Sequence, residues 1–219
     1  YIHGGGEINS PEVAELYKML TQQFKTMGEN YQGIFVTDAN GNLYTGALEG
    51  GKEYKGVNIK DRSYFQQMNR SGQTAISNAT RSKSTGKLII VVCSPMKSKS
   101  SQILGAFGLV IKVYYIVELV SGRKIGETGY GFMTDKTGLL VAHPVTDNIL
   151  KLNLAELDGM KEFMQLMLGG KNGVEEYTFK GVDKVAGYAP LSQTEWYIGA
   201  TQNADEFLAP SKTIRNLIS

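Results

Sequence analysis

The segment Asn58–Met68, NIKDRSYFQQM, holds the side chains of this sequence that are best suited to binding chemistry. Arg62 carries a permanent charge and a planar fork of N–H donors that matches a carboxylate. Tyr64 and Phe65 could wall a small ligand with their apolar faces, while the tyrosine hydroxyl adds a donor. The same stretch also suits the start of a helix, with Asp61 as the N-cap and Arg62 in solvent. The residue types alone leave both interpretations open.

Side chains for catalysis or metal binding are scarce in the rest of the chain. It contains two histidines and one cysteine, and no GxxxxGK phosphate loop, so histidine triads and metal clusters have few candidate members. His143, in VAHPV, is expected to be a structural imidazole bonded to backbone, and Cys93, in LIIVVCSP, a buried thiol. Asp38 and Asp135 occupy matching turns, which favours a turn role over acid–base chemistry. We therefore predict no enzymatic activity and no cofactor.

The charge balance argues against a polyanionic partner. The 219 residues include 23 basic and 21 acidic ones, a formal charge of +2, and the aromatic residues are not interleaved with a basic stripe. We therefore expect no nucleic-acid partner. The stretch STGK, residues 84–87, lacks the glycine-rich segment of a phosphate loop and predicts a turn before a strand. No stretch approaches the ~20 apolar residues of a membrane-spanning helix, and both ends are abrupt, as expected of a fragment from a longer protein.

The elements that must position these residues can be read from the hydrophobic periodicity. Ser10 as N-cap and Pro11 at the first helical position predict a helix that continues to about Gly28. Alternating or fully apolar runs then predict antiparallel strands, a short helix ending near Ser121, and a second block of strands that encloses one more helix.

The two blocks of strands are predicted to be copies of one another. In each, a strand ends in Thr-Asp and two residues lead to a glycine, at Asp38 with Gly41 and at Asp135 with Gly138. The two aspartates are 97 residues apart, and the later Pro95 and Pro190 are 95 apart. Landmarks that recur in the same order at nearly the same offset indicate duplication rather than chance. The fold class predicted is α+β, with two similar modules joined near residues 122–126.

Several motifs in register resemble one known family. The series GIFVTDANGNLYTG, NIKDRSYFQQ, STGKLIIVVCSPM, ILGAFGLVIKV, KIGETGYGFMTDKTGLLVAHP and GYAPLSQTEWYIGATQ is similar to the double Cache (dCache) sensor domain of chemoreceptors and sensor histidine kinases. The resemblance covers essentially the whole chain. It implies a long N-terminal helix over residues 1–29, a membrane-distal PAS-like module over 30–122, a membrane-proximal one over 123–203, and a C-terminal helix over 204–219 that leads to a transmembrane segment. Each module is expected to be an antiparallel sheet flanked by helices.

The resemblance also implies a function and a site. The domain would lie outside the cell membrane, in the periplasm or the extracellular space, anchored by flanking helices, and a homodimer through the N-terminal helix is implied as well. Arg62 would hold a ligand carboxylate, with Tyr64 and Phe65 standing where amino-acid-binding members often have Trp and Tyr. The family positions that hold a ligand ammonium correspond here to Thr80, Ser82 and Val110, which include no carboxylate.

These substitutions favour a small anionic or neutral organic molecule, best a short carboxylate, because an unpaired ammonium would be costly to desolvate. The basic side chains Arg81 and Lys83 could add positive charge. A sensor of amino acids or other nitrogenous metabolites, and a ligandless structural or protein-docking ectodomain, remain as alternatives.

Overall fold

The computed structural model of this chain describes residues 10–192 and 194–209, and it separates into two compact units. The division falls between Val113 and Tyr114. Both units combine helices with an antiparallel sheet, so the predicted α+β class is confirmed.

The first unit is built on a seven-stranded antiparallel sheet. Its strands are β1 (Tyr31–Asp38), β2 (Leu43–Leu48), β3 (Lys52–Glu53), β4 (Ala75–Ile76), β5 (Thr80–Arg81), β6 (Leu88–Lys97) and β7 (Ile103–Lys112). They lie in the order β3-β2-β1-β7-β6-β4, and β5 also pairs with β6. The long central strands are apolar on both sides because helices cover both faces of the sheet.

The two faces of this sheet carry different helices. Helix α1 (Pro11–Thr26) places Leu20 against Ile34 and Val36, which point to one face of β1. Helix α2 (Ser63–Ser71) packs on the other face. Phe35, which lies between those two residues in the sequence, points to this face. Strand side chains alternate between the faces, so neighbours in sequence serve separate cores.

The predicted N-terminal helix is described from Pro11 onward. Pro11 begins it as expected, and it ends at Thr26, close to the predicted Gly28. Ser10 occupies the N-cap position, as predicted, and its side chain makes no capping hydrogen bond to the helix backbone. Residues 1–9, which the predicted helix included, lie outside the described residues.

The second unit is built on a five-stranded antiparallel sheet in the order β10-β11-β12-β8-β9. Its elements are α3 (Val113–Ser121), whose first residue belongs to the first unit, β8 (Tyr130–Asp135), β9 (Leu140–Ala142), α4 (Lys161–Met167), β10 (Gly173–Phe179), β11 (Val182–Pro190) and β12 (Trp196–Asn203). Phe163, Met164 and Met167 of α4 pack into the core on one sheet face. Residues 204–209 are helical, and the rest of the predicted C-terminal helix, 210–219, lies outside the described residues.

The structure separates the units earlier than the predicted junction at residues 122–126. The residues of α3 after Val113 belong to the second unit, where the Ser121 hydroxyl donates to the Gly131 carbonyl at 2.7 Å. A contact between segments ten residues apart, made by a side chain, leaves no mark in hydrophobic periodicity.

The duplicated hairpins are confirmed down to individual hydrogen bonds. In the first, Asp38 Oδ1 accepts from the amides of Asn40 and Asn42 at 2.9 and 2.8 Å. In the second, Asp135 Oδ1 accepts from the amides of Thr137 and Leu139 at 2.8 and 3.1 Å. The glycines of both turns have positive φ, +78° at position 41 and +89° at position 138, a conformation that side chains other than glycine rarely adopt.

Candidate functional site

The start of α2 places Arg62 at the edge of the first unit. Arg62 is the N-cap residue, with extended backbone (φ −76°, ψ 132°), and the helix follows from Ser63. The expectation that Asp61 caps this helix is wrong. Its carboxylate instead accepts from Lys83 Nζ at 2.5 Å, and the same amine donates to the Asn58 carbonyl at 2.9 Å. The neighbouring lysine lowers the pKa of Asp61, so this carboxylate remains charged and paired.

The guanidinium of Arg62 connects α2 with β5. Its Nη1 donates to Thr80 Oγ1 at 3.2 Å, and its Nη2 donates to the carbonyl of Arg81 at 2.9 Å. The fork is therefore held in place by the protein itself, and Arg62 is partly buried. The structure thus brings together two of the predicted ligand-binding residues, Arg62 and Thr80. A carboxylate that reached this point would meet an oriented cation beside a hydroxyl group.

The two aromatic residues after Arg62 belong to the core of the first unit. Tyr64 and Phe65 are 5% and 1% exposed and pack together with Met68, one turn further along α2. Burial raises the pKa of Tyr64, which keeps its hydroxyl neutral and able to donate a hydrogen bond. Val110, on β7, is fully buried in the same cluster, as is Cys93, whose pKa burial raises to about 12.

Ser82 has a local role in the structure. Its Oγ accepts from the amides of Ser84 and Thr85, both at 3.3 Å, and its carbonyl accepts from the Gly86 amide at 2.9 Å. These bonds form the turn between β5 and β6, so the turn predicted for STGK is confirmed. The Ser82 side chain is buried in this turn.

Two surface cavities of the first unit lie apart from the predicted site. Their volumes are about 390 and 450 Å³, and both are lined by Glu49, Gly50 and Lys52, in the segment after β2. None of the predicted ligand-binding residues lines either one. These positions could not be predicted from the sequence, because the lining residues come from segments far apart in the chain and only the glycine pair at 50 and 51 signals an unusual turn.

His143 is structural, as predicted. The residue is 5% exposed, its Nδ1 accepts from the Val145 amide at 3.0 Å, and its ring meets the Tyr130 ring edge-on. Burial lowers its pKa below the ordinary value. Within residues 10–192 and 194–209, no group of His, Cys, Asp and Glu side chains is arranged to hold a metal ion. None of the helices in the described part of the chain is long and apolar enough to cross a membrane.

Comparison with known proteins identifies the family. The model of the Cache domain family, in its dCache form, matches residues 6–211. The chain is 25% identical over 164 residues to the methyl-accepting chemotaxis protein McpA of Pseudomonas putida, covering 73% of this chain and 24% of that protein. It is 23% identical to TlpB of Bacillus subtilis, another methyl-accepting chemotaxis protein, over 92% of this chain and 28% of the relative. The chain thus spans about a quarter of the length of these relatives.

Solved structures share the fold. The extracellular domain of the putative histidine kinase mmHK1S-Z3 superposes with a TM-score of 0.76 at 17% identity, covering 97% of this chain and 86% of that one. The ligand-binding domain of the Pseudomonas aeruginosa chemoreceptor PctB, in complex with L-Gln, gives a TM-score of 0.69 at 21% identity, over 95% and 82% of the two chains. With the duplicated hairpins and the family match over nearly its full length, this chain belongs to the Cache domain family.

Proposed function

We propose that this chain is the extracytoplasmic ligand-binding domain of a transmembrane signal transduction receptor, and that its first unit binds a short organic carboxylate. One observation carries the choice of ligand: the Arg62 guanidinium is oriented by Thr80 and the Arg81 carbonyl at the start of α2. Membership of the Cache domain family and the chemotaxis relatives support the receptor role.

The charges around Arg62 favour an anion over an amino acid. Thr80, Ser82 and Val110 stand at the positions predicted for ammonium binding, and none carries a charge. The nearby carboxylate of Asp61 is already paired with Lys83. A ligand carboxylate would complete the hydrogen bonding of Arg62, whereas a ligand ammonium would lose its hydration without gaining a counter-charge.

An amino-acid ligand is the alternative that the structural relatives favour. PctB is described in complex with L-Gln and with L-Arg, and its domain shares this fold. For this chain, an amino acid would be held through its carboxylate at Arg62, with the amine directed to hydroxyl or carbonyl oxygens. Such neutral acceptors stabilise an ammonium less than a carboxylate does.

Signalling in this proposal is a shift in the populations of two conformations. Ligand binding at Arg62 would favour one packing of α2 and β5 in the first unit. The altered packing would displace the helices that lead to the membrane, in a receptor that dimerises through its N-terminal helix. The domain would lie in the periplasm or the extracellular space.

The Arg62 proposal is tested by isothermal titration against acetate, propionate, lactate, pyruvate and succinate. For a ligand held mainly by the guanidinium, Arg62→Ala should weaken binding by about 2 kcal/mol, or roughly thirtyfold in Kd. Arg70→Ala, in the exposed last turn of the same helix, is the matched control and should leave Kd unchanged. If wild type and Arg62→Ala bound the ligand with equal affinity, Arg62 would not be part of the site.

A ligandless ectodomain is the second candidate, and the packing around α2 favours it. Tyr64, Phe65 and Val110 are all buried in the same hydrophobic cluster. Side chains therefore occupy much of the space that aromatic walls would enclose. A thermal-shift screen separates the two candidates, because a small molecule that binds the folded state raises the unfolding midpoint by mass action. A flat response to the organic acids and to the amino acids would favour the ligandless candidate.

A further inference from the structure

The surface cavity of about 390 Å³ in the first unit lies on the sheet face that α1 covers, opposite α2. It is bounded by the second half of α1, through Thr21 and Phe24, and by Ala47 of β2, which packs in the core beneath α1. Its far side is the segment at residues 49–52. A volume of about 390 Å³ is within the range of small-molecule sites. Neither Arg62 nor any other predicted ligand-binding residue lines this cavity, so it is separate from the proposed site.

The walls of this cavity offer aromatic surface to a ligand. Tyr17 and Phe24 of α1 and Tyr31 at the start of β1 all line it, and all three are only partly buried. Apolar rings left accessible around a concavity gain free energy when an apolar molecule displaces water from them. The body of a ligand at this position would therefore be apolar, and a planar ring suits three aromatic neighbours.

A buried hydroxyl in the same cavity lacks a partner. Thr21 Oγ1 is shielded from solvent and makes no hydrogen bond with any residue of the described part of the chain. An unpaired buried polar group is costly, and proteins usually satisfy it with a ligand, a water molecule or another side chain. Thr21 lines the cavity, and rotation of its side chain to the other rotamer common for threonine in a helix would bring the hydroxyl to an acceptor atom of a bound molecule.

The charges at the rim select an anion. Glu49 is already neutralised, because its two carboxylate oxygens meet Lys87 Nζ at 2.6 Å and Lys112 Nζ at 2.8 Å. Glu29, the other acidic residue of the lining, is engaged in an interaction of its own. Lys25 and Lys52 are exposed and form no ion pair with any described residue. Two unpaired amines beside a neutralised carboxylate attract negative charge.

We propose that this cavity is a second ligand site, which takes a small aromatic carboxylate. The ring packs between Tyr17, Phe24 and Tyr31, the carboxylate is attracted by Lys25 and Lys52, and the Thr21 hydroxyl donates to it. A ligand in this site contacts α1 directly, whereas a ligand at Arg62 contacts α2. The first unit can then respond to two classes of molecule on its two faces.

The probe for this site is phenylacetate, compared with 2-phenylethanol, which has the same ring without the charge. Titration of the ¹⁵N-labelled chain with phenylacetate should shift the amide signals of Gly28, Gly50 and Gly51, which line the cavity. The alcohol should bind at least about tenfold more weakly, since a charge-assisted contact is lost. Absence of shifts at these glycines at about 1 mM phenylacetate, well above a micromolar Kd, overturns the proposal.

Variants separate this site from the one at Arg62. Lys25→Met with Lys52→Met, and separately Thr21→Val, should each weaken phenylacetate binding, the lysine pair by at least about tenfold. Lys18→Met is the matched control, because Lys18 is an exposed lysine of α1 that lies two turns before Lys25 and does not line the cavity. Binding should survive Arg62→Ala. Loss of binding in Arg62→Ala, with retention in the lysine pair, would assign the probe to the other face and overturn the proposal.

Discussion

Asp38 holds the first hairpin through three hydrogen bonds to one carboxylate. Besides the amides of Asn40 and Asn42, the Asn42 side-chain amide donates to its second oxygen at 2.8 Å. Strand β1 lies at the centre of the sheet, so the turn that this carboxylate closes sets the register of β2 beside it.

We expect Asp38→Ala to lower the free energy of unfolding by about 1–3 kcal/mol, because the turn amides lose their charged acceptor. Asp38→Asn keeps one acceptor oxygen and should cost less. Urea unfolding followed by circular dichroism measures both, with Asp147→Ala, an exposed aspartate, as the control. A loss no larger than that of the control would show that glycine and backbone geometry hold the turn without the carboxylate.

At the candidate site around Arg62, some features could be predicted from the sequence and others could not. A charged residue followed by aromatics predicted the segment, whereas the burial of Tyr64 and Phe65 in the core became clear only from the packing of α2. The partner of Asp61 could not be predicted, because Lys83 lies 22 residues later and approaches through the β5–β6 turn. The hydrogen bond from Arg62 to β5 could not be predicted either, because it depends on how α2 packs on the sheet.

At the scale of elements, Glu206 fastens the C-terminal helical segment to the start of the second sheet. In residues 204–209, its carboxylate accepts from the amide of Glu127 at 2.6 Å and from the amide of Thr128 at 3.0 Å. The Thr128 hydroxyl also donates to it and in turn accepts from the Asn203 amide. These bonds, above all the one from the Thr128 hydroxyl, lower the pKa of Glu206, so it remains an anion.

Removing this carboxylate should loosen the segment before β8. In Glu206→Ala, the amides of Glu127 and Thr128 lose their acceptors, and we expect their hydrogen exchange to become faster, because local opening no longer breaks these bonds. Hydrogen–deuterium exchange read by NMR measures this. Asp205→Ala, at the exposed neighbouring position, should leave both amides unchanged. Unaltered exchange in Glu206→Ala would mean that other contacts hold the segment.

At the scale of the whole molecule, stability should depend on pH through His143. Burial, with a smaller contribution from the charge of Lys180, lowers its folded-state pKa below 6.5. The unfolded chain therefore binds a proton at a higher pH than the folded chain does. The stabilisation is complete above pH 6.5 and is lost as the pH falls toward the folded-state pKa.

We expect the free energy of unfolding to fall between about pH 7.5 and about pH 5.5, a window that lies above the ordinary range of carboxylate titration. His143→Gln should flatten this dependence, although the variant itself is less stable. Parallel profiles for wild type and His143→Gln would contradict the assignment.

The sequence by itself determined the local elements of this protein and their duplication. The Thr-Asp turns with their glycines, the apolar strands, the helix from Pro11 and the burial of Cys93 all follow from periodicity and turn chemistry within a few residues. The family match rests on the same local motifs, read in order along the chain.

The tertiary structure determined the contacts between segments that are distant in the sequence. It paired Asp61 with Lys83, aligned Arg62 with β5, assigned most of α3 to the second unit, and formed a cavity between α1 and residues 49–52. Each outcome depends on side chains of elements that are separated along the chain and brought together by packing on a sheet. Local periodicity carries no information on such encounters, because it records only which face of an element is apolar.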